Sequence, residues 1–227
     1  MFEIKKVISL TDNLKKTNHM RFIFTPRSGL PTRTNLKKLG ERKYTVEYNP
    51  KLCDTNDVAY ELFRAVQLSD PNWVNVTPKS IITSNTHATV LAEKLQTLLF
   101  DFWVKKMIRK KGFRYGGYVK DYFTILLDQM IRDFYPYQEI KERRYNLACS
   151  TLDYALYLFN KSMFSKKFNK QFEDLFKKYD SKAVEIANAI KISFSKNECE
   201  TPNGVEKILI EICEILNLRR DITSLRQ

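Results

Sequence analysis

Cysteine and histidine are too few and too scattered for the chemistry they usually carry. Cys53, Cys149, Cys199 and Cys213 contain no CxxC pair, and the only histidines are His19 and His87. No conventional zinc-ligand spacing can be assembled from these residues, and the thiols are expected to be free. Long apolar runs are also missing. Lys5 and Lys6 interrupt the leading segment, so no signal peptide is expected, and no stretch reaches the roughly 18 uncharged apolar residues of a membrane span. A cytoplasmic location is the resulting expectation. Helix breakers are scarce, with 6 Gly and 7 Pro, and Pro26, Pro31, Pro50 and Pro71 all precede residue 72. Beyond Pro78 the chain is therefore expected to be mostly helical. No Gly-rich phosphate loop, nucleophile elbow or Cys–His pair is present, and no cofactor is expected.

What is present suits a packed globule. Apolar residues make up 43% and aromatics 13% of the 227 residues, enough to bury around 70% of the unfolded surface without disulfides or metals. The formal charge of +13 favours nucleic acid, acidic protein partners or anionic lipid, or else reflects a solvated basic surface; both readings are open.

Strand-period alternation marks Met20–Thr25 and Lys43–Asn49, with a polar, basic and exposed loop expected from Pro26 to Gly40. A helix is expected over Asp54–Leu68, N-capped by Asp54 or Thr55, followed by a loop from Ser69 to Pro78. A long helix follows from about Asn85 to Lys111, closed by Gly112. Beyond the Gly116-Gly117 break, helices are expected at about 118–134, 138–163, 165–179, 181–195 and 203–217. The fold class is α+β, mostly helical: a small sheet with two helices over residues 1–113, then a helical bundle over 114–227.

The most informative helix is the one after Asp54. At 100° per residue, Val58, Ala59, Leu62, Ala65 and Val66 share one face, and Asp57, Tyr60, Glu61, Arg64 and Gln67 share the other. Zinc hydrolases place histidines at i and i+4 for the metal and glutamate at i+1 to activate its water. Val58-Ala-Tyr-Glu-Leu-Phe-Arg-Ala-Val-Gln67 resembles the His-Glu-x-x-His helix of zincin-like metallopeptidases, with Tyr60 and Arg64 at the histidine positions and Glu61 at the general-base position. The strand Tyr44–Tyr48 just upstream is similar to the edge strand that flanks the active-site helix in small zincin-like domains. Val90–Leu95 and Phe100–Val104 are similar to a second helix that carries a third ligand, with Glu93 and Asp101 as its acidic candidates. The resemblance covers about residues 20–113 and implies a degenerate cleft of Tyr60, Glu61, Arg64 and Glu93. Arg64 places a permanent cation where a metal needs a lone pair, and Glu61 is expected to pair with it at i,i+3, so zinc hydrolysis is not expected.

The densest basic run is Lys105, Lys106, Arg109, Lys110, Lys111, Arg114 and Lys120, interleaved with Phe113, Tyr115 and Tyr118. It reads either as an anion-binding surface, with basic groups on phosphates and aromatics on unpaired bases, or as a helix C-terminus whose aromatics pack inward. Lys161–Lys178, with Phe164, Phe168, Phe172 and Phe176 at helical spacing, reads first as an amphipathic helix packed on a core, and otherwise as a membrane-surface or docking helix. Glu139, Glu142 and Asp153 do not share a face and are expected to be surface charges, and His87 is expected to be solvated or capping. The functional expectation is a non-catalytic, degenerate metallopeptidase-like protein that binds a macromolecular partner, protein or nucleic acid. The alternatives are a nucleic-acid-binding or nucleic-acid-processing protein with a basic-aromatic surface, and a hydrolase whose site uses other residues.

Overall fold

The structure is a computed structural model that describes residues 2–30, 32–79 and 86–226. It is a mostly helical α+β protein whose chain divides into two compact units, residues 1–73 with 103–118 and residues 74–102 with 119–227. Among the described residues no helix is long and apolar enough to cross a membrane.

In the first unit, α1 (Phe2–Thr17) leads into β1 (Arg21–Pro26), β2 (Thr34–Gly40), β3 (Lys43–Tyr48) and α2 (Thr55–Ser69). The sheet order is β1-β3-β2, with β1 parallel and β2 antiparallel to β3. The strand before α2, expected at a sheet edge, is therefore central. Alternation sends Tyr44 and Val46 to the helix-covered face, where both are fully buried. Leu10 and Leu14 of α1, Val46, and Ala59, Leu62 and Phe63 of α2 form one core with Val104, Ile108 and Phe113. Each such side chain contributes roughly 1.5–3 kcal/mol on burial.

Two segments differ from the sequence expectation in this unit. Residues 2–17, for which the sequence expectation holds no element, form a helix in which Val7, Leu10 and Leu14 recur at helical spacing on the core side. The expected loop Pro26–Gly40 contains β2. Its Thr-Asn-Leu-Lys-Lys-Leu-Gly sequence is too polar for an interior strand, but an edge strand needs few apolar contacts, and Leu36 packs on the core.

The second unit holds a two-stranded antiparallel sheet of β4 (Val74–Pro78) and β5 (Ile222–Arg226), strands that the helical expectation did not contain. Helix α3 (Thr86–Lys110) supplies its residues up to Phe102 to this unit and the rest to the first. The expected start at Asn85 lies outside the described residues. Gly112, with φ of 75°, closes α3: its N–H donates to Arg109 O at 3.0 Å and that of Phe113 to Ile108 O at 3.1 Å. This is the left-handed closure that glycine favours. The remaining helices are α4 (Gly117–Ile131), α5 (Arg143–Asn160), α6 (Lys166–Lys196) and α7 (Pro202–Ile215).

The helices expected at 165–179 and 181–195 are one kinked element. Asp180 leaves helical geometry (φ −152°, ψ 74°), and its carboxylate accepts from Ala183 N at 2.9 Å and from the Ser150 hydroxyl at 2.6 Å. Phe172 and Phe176 of α6 are fully buried beside Tyr154, Tyr157 and Phe123. This is the packed amphipathic arrangement.

Candidate functional site

Both faces of α2 are covered. The helix begins with a reciprocal cap: Asp54 Oδ1 accepts from Asn56 N at 2.7 Å and Asp57 N at 3.0 Å, and Asp57 Oδ2 accepts from Asp54 N at 2.9 Å. Arg33 Nη1 donates to Asp57 Oδ2 at 3.2 Å and to Leu52 O at 2.8 Å, and Arg114 N donates to Asn56 Oδ1 at 2.7 Å. The start of α2 is thereby tied to the segment before β2 and to the segment after α3.

One turn further, the Glu61 side chain is only 5% exposed. Its Oε1 accepts from the Thr34 hydroxyl at 3.0 Å and its Oε2 from Arg64 Nη1 at 3.3 Å. Burial pushes the Glu61 carboxyl above its ordinary range, against the pull of Arg64 and Thr34. Burial likewise works against the Arg64 cation, but Glu61 together with Tyr60 and Tyr118 more than offsets it, so Arg64 stays charged. Tyr60 is 6% exposed; its hydroxyl accepts from Tyr118 at 2.9 Å, with ring centroids 4.8 Å apart, and Arg64 lies 5.9 Å from its ring centroid. Tyr115 completes the layer 6.1 Å from Tyr60, and Lys105 Nζ lies 5.2 Å over the Tyr115 ring.

This geometry makes Tyr60, Glu61 and Arg64 a fastening between β2, α2 and the 105–118 segment. Both oxygens of Glu61 are engaged within the protein. Among the described residues, no group of three or more His, Cys, Asp or Glu side chains is placed to hold a metal ion. Glu93 belongs to the second unit and is exposed. Asp101 is buried there, 3.5 Å from Asn160 Nδ2.

The basic run has a different character. Lys106, Arg109, Lys110, Lys111 and Arg114 are exposed, whereas Phe113 is in the core and Tyr115 and Tyr118 belong to the α2 layer. The aromatics thus face inward and leave the cations outside. Lys120 is exposed in the second unit. The first unit adds cations from α1. Lys5, Lys6, Ser9 and Asn13 meet Lys111 around a concavity of about 360 Å³ floored by Leu10 and Phe113, and none of its described lining residues is a carboxylate. Lys6 Nζ donates to Gly112 O at 3.4 Å, which holds the α1 rim against the end of α3. An adjoining concavity extends the same helix face through Ser9 and Asn13 to Lys16, with Asp12 as the one carboxylate among its described lining residues. Steps of four, four and three residues from Lys5 to Lys16 keep one helix face for roughly 16 Å.

Sequence reasoning missed Thr34 and Arg33 because they lie in what reads as a loop. It misses Lys5 and Lys6 because the sequence expectation holds no helix over residues 2–17; their spacing from Ser9 and Asn13 is the available signal. Asp153, expected at the surface, is instead buried in the second unit, and its Oδ2 accepts from Lys94 Nζ at 2.6 Å, from Tyr122 at 2.6 Å and from Tyr137. Glu139 and Glu142 are exposed as expected. His87 is half-buried, its ring centroid 6.0 Å from that of Tyr145.

Comparison of the chain with family models, with curated proteins and with solved structures finds no match.

Proposed function

We propose that this protein is a non-catalytic, degenerate metallopeptidase-like protein that acts by binding a macromolecular polyanion, the backbone of a nucleic acid, on the basic surface of its first unit. The observation that carries the reading is the concavity where Lys5 and Lys6 of α1 meet Lys111, with Ser9 and Asn13 between them as hydrogen-bonding groups and no carboxylate among its described lining residues. Cations at this spacing suit phosphates that repeat along a strand. The inward-turned Phe113, Tyr115 and Tyr118 leave no stacking platform in the basic run, so binding is to the backbone and sequence-independent. The pairing of Glu61 with Arg64 at 3.3 Å supports the non-catalytic reading of this helix.

The test is binding to a mixed-sequence oligonucleotide as salt is raised. Log affinity should fall with log salt, with a slope that grows by roughly 0.7–0.9 per phosphate contacted. The Lys5→Glu, Lys6→Glu and Lys111→Glu triple variant should reduce that slope by about 2–3 and weaken binding to all sequences alike. An unchanged slope in the triple variant sinks the proposal.

A further inference from the structure

Where β1 begins and the β2–β3 hairpin turns, the first unit has a second concavity of about 380 Å³, lined by His19, Arg21, Glu41, Arg42 and Lys43. We infer that this cup is a binding site for a phosphoryl group, separate from the groove on α1.

Strand register is the first reason. Arg21 of β1 stands directly opposite Lys43 of β3, and like charges directly opposite each other oppose pairing. The arrangement becomes favourable when an anion sits against both. Neighbouring residues keep these cations in place: Met20 and Tyr44 are fully buried, packed together with Ala65. Period-2 alternation then puts Arg21 and Lys43 on the face away from that core.

Missing counter-charge is the second reason. Among the described residues, His19, Arg21, Arg42 and Lys43 make no ion pair, although nearby Lys37 and Arg27 both pair with Glu47. Glu41 is the one carboxylate lining the cup, against Arg21, Arg42 and Lys43, which leaves a net charge of +2.

Backbone conformation is the third. His19 and Arg42 both have φ of 54°, a left-handed geometry with a steric cost for residues with a Cβ. The Arg21 N–H donates to Arg42 O at 2.8 Å and clamps the hairpin turn to the strand start. The cup is thus preformed, and a ligand does not have to order it. Two guanidinium forks, an ammonium and an imidazole suit a compact group with several acceptor oxygens, and phosphate offers more of these than a carboxylate.

Such a group has two sources, inorganic phosphate or the terminal phosphate of a nucleic-acid strand. Lys16, at the far end of the α1 face, is three residues before His19, so their Cα atoms lie within roughly 11 Å. A strand on that face ends within reach of the cup. The terminal-phosphate source rests on the function proposed above; the inorganic-phosphate source does not.

The full chain is titrated with inorganic phosphate, and with two single-stranded oligonucleotides that differ only in a 5′-phosphate. The variants are Arg21→Gln, Arg42→Asn (asparagine tolerates the left-handed turn) and, as a groove control, Lys5→Gln with Lys111→Gln. The expected result is about tenfold tighter binding of the phosphorylated strand. That increment should be lost in Arg21→Gln and in Arg42→Asn and kept in the groove control. Saturable binding of inorganic phosphate that both cup variants abolish, with no gain from the terminal phosphate, also supports the site and identifies the free ion as its ligand. The inference is overturned when neither ligand gives a signal that depends on Arg21 and Arg42. Loss of the unphosphorylated strand's binding from the native chain, with phosphate binding intact, counts against the groove alone.

Discussion

Replacing Asp153 by asparagine removes the counter-charge of a buried lysine. The Asp153 side chain is 5% exposed and that of Lys94 is 22% exposed, and a single carboxylate oxygen accepts from Lys94, Tyr122 and Tyr137. Breaking a buried pair from one side costs about 3–5 kcal/mol, because the other charge stays behind. The partial exposure of Lys94 places the expectation near the low end, at about 3 kcal/mol. Adding Lys94→Met removes the stranded charge, so the double variant should recover more than half of that loss. Urea denaturation followed by circular dichroism reads the helices, most of which lie in the second unit, whereas Trp73 and Trp103, the chain's two tryptophans, belong to the first unit and report on it. The pH dependence adds a second signature. Burial pushes the Lys94 ammonium down, and Asp153, helped by Tyr122 and Cys149, more than offsets it, leaving its pKa above the ordinary value. A lysine raised on folding contributes stability that is complete below its unfolded pKa of about 10.4 and is lost as pH climbs through the folded value. The native chain should therefore weaken at strongly alkaline pH, and Asp153→Asn should weaken less steeply there. A cost below about 1 kcal/mol, or a double variant no better than the sum of its parts, refutes the reasoning.

Three further outcomes are expected. Asp54→Ala removes the acceptor for two backbone N–H groups at the start of α2 and should cost about 1–2 kcal/mol in denaturation, with Asp54→Ser restoring most of it. Gln67 is 1% exposed and neither atom of its amide has a hydrogen-bond partner among the described residues, so Gln67→Met should raise stability by about 1–2 kcal/mol rather than lower it. Burial, reinforced by Asp57 and Asp54, pushes the Cys53 thiol up to about 12, and burial lifts Cys149 and Cys213 to about 11. The thiolate is the reactive form, so iodoacetamide labelling of these three followed by mass spectrometry should be slow at pH 8 and accelerate steeply above pH 10.

Helices with a clean apolar face and local punctuation were legible from sequence. Asp54 announces the start of α2 and Gly112 the end of α3, because capping is settled by residues a few positions apart. The i,i+3 meeting of Glu61 and Arg64 was legible for the same reason. The strands β2, β4 and β5 were not, since each is stabilised by a partner strand rather than by its own composition, and β5 pairs with a segment nearly 150 residues earlier. The division into units was hidden too: α3 keeps one uninterrupted apolar periodicity while Leu95 and Leu98 serve one core and Val104 and Ile108 another. Of the candidate sites, Lys111 stood out as part of a run. Lys5 and Lys6 stood out only as interruptions of an apolar leader, because the groove is made by two helices about a hundred residues apart in sequence.

The three-stranded sheet has both margins open, yet neither invites growth. On β1 the hydrogen bonds of Arg21 and Arg27 toward β3 leave Phe22 and Phe24 with outward amides, and Pro26, the last residue of the strand, has no amide hydrogen to offer. On β2 the exposed Lys37 and Lys38 and the register shift before Gly40 break the regular row. A neighbouring chain would find two donors on one margin and a charged, irregular line on the other. The sheet is finite by its own chemistry, so a second copy of the chain gains little by adding a strand to it.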